Sequence, residues 1–78
     1  MTDLEALRDA LRVRMDVVAN RALYERDPAA HLGELMAASI TVNGLAADLP
    51  ADVDPMLRHY LDRQSYVKAL HWLDAQPA

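Results

Sequence analysis

Twenty consecutive residues, Pro28 to Ala47, carry one formal charge. The stretch PAAHLGELMAASITVNGLAA holds Glu34 and one histidine, His31, and every other charged side chain lies outside it. A surface helix needs a polar face to present to water, and this stretch has almost none. It is therefore expected to form a central helix covered on more than one side. Two stripes run along it. Ala30, Gly33, Ala37, Thr41 and Gly44 recur every three or four residues and share one face. All are small, and a face of small residues lets another backbone come close. Leu32, Leu35, Met36, Ser39, Val42, Ala46 and Leu49 form the second stripe, an ordinary core face. The small face has two uses: a tight crossing inside the subunit, or pairing with the same helix of a second subunit. For the second use, Gly33, Ala37, Thr41 and Gly44 are the candidate dimer-interface residues.

One segment of this helix competes with the reading. Ile40-Thr41-Val42 followed by Asn43-Gly44 looks locally like a strand entering a hairpin. No second strand follows, because LAADLPADVD lacks alternation and contains Pro50. The helix is kept, with a bend or an early end near Asn43 as its weak point. Gly44 should cost it about 1 kcal/mol relative to Ala.

The flanking segments are punctuated clearly. Thr2-Asp3-Leu4-Glu5 has the form of a capping box. Leu4, Leu7, Leu11, Met15, Val18 and Ala22 then follow at helical spacing, with a weaker second stripe of Ala6, Ala10, Val13, Val17 and Tyr24. Helix one is expected from about 2 to 26. Asp27-Pro28 ends it and starts helix two, about 28–48. Asp supplies the cap, Pro tolerates the first turn, and the residue before Pro leaves helical space. So short a connection makes the pair an antiparallel hairpin or a sharp elbow, and the length of both helices and of their apolar stripes favours the hairpin. Asp54-Pro55 repeats the device and opens helix three, about 55–75, with residues 76–78 frayed. Met56, Leu57, Tyr60, Leu61, Gln64, Val67, Lys68 and His71 share its broad face. The expected fold is all-α: a three-helix bundle made of a long antiparallel hairpin plus a third helix, completed by dimerisation.

Length and composition support association. Seventy-eight residues make one domain, spanning 1–78. A chain this short buries only about 60–65% of its unfolded surface. Yet 53% of its residues are hydrophobic, more than so small a core needs, and no cysteine is present to staple it. A homodimer accounts for the surplus. Residues 1–26 carry five basic and five acidic side chains, 27–53 four acidic and no basic, and 54–78 three of each. No segment is a basic patch, which argues against nucleic acid, and the net charge of −4 suits an anionic membrane poorly. The 28–47 stretch has the length of a membrane span, but it is Ala-rich and contains Glu, His, Asn and two Gly. The charged N-terminal segment has no apolar signal region, so a cytoplasmic location is expected.

Chemistry-bearing residues concentrate in helix three. Arg63, Gln64, Tyr66, Lys68 and His71 are the candidate ligand- or partner-binding residues. Arg, Lys, Gln and Tyr inside a bundle could hold a small carboxylate, and His could move a proton near neutral pH. The plainer reading is a solvated face with Lys68 snorkelling and Tyr66 anchoring a hydrogen bond. Nothing fixes a nucleophile or a base with its orienting partner, so no catalytic residue is named. His31, His59 and His71 lack metal-ligand spacing, and the two glycines are isolated, so neither a metal nor a phosphate-loop cofactor is expected. The leading expectation is a non-catalytic, homodimeric protein-interaction or adaptor module. The alternative is a small helical enzyme or ligand-binding protein with a polar pocket around helix three.

Overall fold

A computed structural model describes residues 2–76. Helix α1 spans Asp3–Ala19, α2 Arg21–Arg26, α3 Pro28–Ala47, α4 Pro55–Asp62 and α5 Tyr66–Asp74. The protein is all-helical, and the described residues contain no strand.

The three cap residues each take a first-turn amide, although among the described residues the capping box forms only its Thr2 half, with no return bond to the Glu5 side chain. Thr2 Oγ1 accepts from the Glu5 amide at 3.1 Å, Asp27 Oδ1 from Ala30 at 3.1 Å, and Asp54 Oδ1 from Met56 at 2.8 Å. Each occupies an amide that the first helical turn leaves without a partner. Helix α3 runs unbroken through Asn43 and Gly44 to Ala47, so the early end does not occur. Packing overrides the local hairpin signal there, since Val42 is fully buried and Asn43 holds a partner described below.

Two of the three expected helices are interrupted. Helix one is not continuous from 2 to 26: Asn20 leaves helical space at φ −79°, ψ 78°. Its amide donates to Val17 O at 3.1 Å, and its side chain accepts from Leu23 N at 3.1 Å, opening α2. A short polar side chain that satisfies backbone groups locally competes with helix continuation, which is why Asn ends one helix and caps the next. Helix three is not continuous from 55 to 75 either. It stops at Arg63, Gln64 adopts φ 56°, and α5 begins two residues later. The Gln64 amide donates to Leu61 O at 3.0 Å and the Ser65 amide to Tyr60 O at 2.8 Å, the two bonds of a Schellman ending. This turn rephases the helix, so the single broad face expected for 55–75 does not exist. Leu57 and Leu61 of α4, and Tyr66, Ala69, Leu70 and Leu73 of α5, point inward, while Gln64, Val67, Lys68 and His71 are exposed. Gln76 is not frayed: its amide donates to Leu73 O at 3.2 Å, and its side chain to Trp72 O at 2.9 Å. Pro77 and Ala78 lie outside the described residues.

Helices α1 and α3 are antiparallel. His31 Nε2 lies 2.8 Å from Val17 O, and further along, Arg14 Nε donates to Ser39 Oγ at 3.1 Å, so one helix descends as the other climbs. Helices α4 and α5 close one end of this hairpin. Leu7 and Leu11 of α1, Val42 and Leu49 from α3 and its following loop, and the inward residues of α4 and α5 form one core. Arg58 reaches back to donate to Ala46 O at 3.2 Å, meeting a carbonyl in the last turn of α3, and Arg12 pairs with Asp74 at 2.6 Å. The core does not extend along the whole hairpin. No residue of α2 is buried, and the only buried residues of α3 are Ala38 and Val42. The molecule is accordingly elongated, 42 × 24 × 22 Å, with a two-helix arm projecting from a four-helix head. Arg8 Nε, on the head, is buried without a hydrogen-bond partner.

Candidate functional site

The outer face of α3 is a broad apolar feature of the arm. Leu35, Ser39, Val42 and Ala46 turn toward α1 and the head, as the core stripe requires, but Leu32 and Met36 do not. Both were expected in the core; both are 56% exposed, and Ile40 is 68% exposed. At 100° per residue the buried arc is centred between Ala38 and Val42, and Leu32 and Met36 fall outside it because no third helix covers the arm on their side. The helix therefore shows two adjacent i, i+4 rows to the outside: the bulky Leu32, Met36, Ile40 and the small Gly33, Ala37, Thr41. Gly44 continues the bulky row, and like Gly33 it has no atom within 4 Å of where a Cβ would stand. The tight intramolecular crossing that could have explained the glycines is thus absent. Val13, Val18 and Tyr24 add exposed apolar surface on the same arm, so it carries six of the nine exposed large apolar side chains among the described residues.

A second feature sits where α1, α3 and α5 meet. The Arg14 guanidinium lies 4.3 Å above the centre of the Tyr66 ring, and its Nε is held by Ser39. Tyr66 is buried, and its hydroxyl donates to Asn43 Oδ1 at 2.9 Å. Four side chains from three helices thus fix one another. A depression of about 390 Å³ opens beside them, lined by Arg14, Gln64, Ser65, Tyr66, Val67 and Lys68. Of the five residues singled out in helix three, Gln64, Tyr66 and Lys68 gather here. Arg63 and His71 are exposed elsewhere and do not line it, because the turn at Gln64 carries Arg63 onto the end of α4.

Arg14, Ser39 and Asn43 were missed by sequence reasoning. Their signal was there to read. Arg14 interrupts the apolar stripe of helix one, three residues after Leu11 and four before Val18. Ser39 and Asn43 are i, i+4 polar neighbours in a stretch otherwise almost free of polar groups. A different cavity, about 410 Å³, has apolar walls from Leu4, Leu49, Val53 and Trp72 at the far end of the head, with Asp52 and Asp54 on its border. Among the described residues, no three His, Cys, Asp or Glu side chains are grouped to hold a metal ion, and no helix is long and apolar enough to cross a membrane.

No protein-family model matches the chain, and no curated protein or solved structure is significantly similar to it.

Proposed function

We propose that the protein is a non-catalytic interaction module that pairs with a second copy of itself through the outer face of α3. The observation that carries this reading is the ridge of Leu32, Met36 and Ile40 lying beside the small row of Gly33, Ala37 and Thr41, all exposed. Two such faces related by a two-fold axis complement each other. The ridge of each helix enters the low row of the other, the geometry of two helices crossing through their i±4 rows. The face holds only Glu34 at its edge, so two copies meet with little like-charge repulsion.

Size supports the same occupant. A 20-residue helix is about 30 Å long and about 11 Å across. Half its lateral surface is roughly 500 Å², so a pair buries about 1,000 Å², the lower bound for a specific interface. Association is therefore reversible at working concentrations. The arm, which lacks a third layer in one chain, gains it from the partner, and the two heads project outward to engage other proteins. The absence of cysteine fits work in the reducing cytoplasm.

The test is molar mass by light scattering on a sizing column over a dilution series, for the native chain and for Met36→Arg. Dimer at high concentration that dissociates on dilution, and a monomeric Met36→Arg chain with native helical circular dichroism, are the expected results. A native chain that stays monomeric at millimolar concentration, or a Met36→Arg chain as dimeric as the native one, overturns the reading.

A further inference from the structure

We infer that the depression beside Arg14 is a binding site for a small organic dianion, gripped by Arg14, Lys68 and Gln64. It is independent of pairing through α3. The lining holds two cations and no carboxylate, in a chain with twelve acidic and eight basic side chains. Two other cations near α1 and α4 have internal duties: Arg12 is paired with Asp74, and Arg58 is engaged by Ala46 O. Arg14 is different. Ser39 takes its Nε and the Tyr66 ring supports its plane, so the guanidinium is fixed in position while its two Nη groups have no acceptor among the described residues. Those two groups form the end of the fork, which matches a pair of oxygens on a carboxylate or phosphate. Holding the fork in place beforehand removes much of the ordering cost of binding.

Lys68 supplies the second positive charge on a mobile stem, able to adjust to oxygens that Arg14 does not reach. Gln64 offers an amide as donor or acceptor, on a backbone held at φ 56°. The start of α5 lies at the same rim and adds its partial positive charge, although the two side chains supply the full charges. Tyr66 and Val67 give an apolar wall for a short carbon skeleton. A volume of about 390 Å³ suits a molecule of metabolite size. Two cations call for two negative charges, which a phosphate monoester carries on one head and a dicarboxylate on two.

The experiment is a ¹H–¹⁵N NMR titration of the full chain with inorganic phosphate and, separately, with succinate, sodium chloride holding ionic strength constant. The expected result with at least one probe is saturable movement of the Val67 and Lys68 amides and of the Arg14 Nε–H, with a midpoint of about 1 mM. Lys68→Gln, at an exposed position, keeps the native spectrum and weakens that binding about tenfold. Arg14→Lys weakens it as well, though its charge is retained. Saturation by phosphate alone identifies a phosphate head, and saturation by succinate identifies a dicarboxylate. The inference is overturned if neither probe saturates, if sodium chloride alone reproduces the shifts, or if Lys68→Gln binds as the native chain does.

Discussion

Replacing Gln64 with glycine should make the protein more stable at the rim of its own candidate site. Gln64 is the one non-glycine residue among those described with positive φ, at 56°. An L-residue pays about 1–2 kcal/mol in that region, because its Cβ crowds the following carbonyl. Glycine avoids the clash but loses more freedom on folding, which costs roughly 0.5–1 kcal/mol. The Gln64 side chain is exposed, so little packing is lost with it, and the bonds of the turn are made by backbone amides that glycine retains. The net gain is about 0.5–1 kcal/mol. For a domain of this size that raises Tm by about 3–6 °C. Urea unfolding followed by far-ultraviolet circular dichroism, at one fixed protein concentration, measures it, since association would otherwise shift the midpoint. The slope with urea should not change. Gln64→Ala, which keeps the Cβ, should show no gain. A glycine variant no more stable than the alanine variant would refute the strain argument. The same glycine variant should bind phosphate or succinate more weakly, since it lacks the Gln64 amide; stability and binding then trade against each other at one residue.

Other substitutions test the layout of the core. Leu57→Ala removes a fully buried side chain and should cost about 2–5 kcal/mol, whereas Leu32→Ala, at a site 56% exposed, should stay within about 0.5 kcal/mol in dilute monomer; the contrast is read as the difference between their urea midpoints. Arg8→Met keeps an unbranched apolar stem and deletes a buried nitrogen that has no partner, so it should raise stability by about 1 kcal/mol. Thermal unfolding that comes out lower for this variant would mean that Arg8 makes an interaction its geometry does not reveal.

The helical class, the three N-terminal caps at Thr2, Asp27 and Asp54, and the antiparallel hairpin were legible because each depends on chemistry local in sequence. The breaks at Asn20 and Gln64 were not. Each falls inside a run whose apolar spacing continues on both sides, and only the Asn20 side chain hinted at an interruption. Gln64 offers no such hint, because glycine or asparagine normally marks a left-handed helix ending. Leu32 and Met36 were misplaced for another reason. Periodicity finds a stripe but does not say whether a second element exists to cover it, and here α4 and α5 cover only one end of the hairpin. The candidate site was half legible. Gln64, Tyr66 and Lys68 were named, but their cationic partner came from α1, some fifty residues earlier in the chain, and only the tertiary contact joins them.

The meeting of α1 with α5 governs the order in which this fold can assemble. Arg12 and Asp74 stand 62 positions apart, and Leu7 and Leu11 share their core with Leu70 and Leu73. During synthesis the α1–α3 hairpin can emerge and zip along its local contacts while Leu7 and Leu11 still face water. They are sealed only when α5 leaves the ribosome and folds back, the slow closure of a long loop. Until then the nascent chain displays two sticky surfaces, the unsealed end of the hairpin and the outer face of α3. On a polysome, where neighbouring copies are at high local concentration, early pairing through α3 would shield one of them before the other is finished.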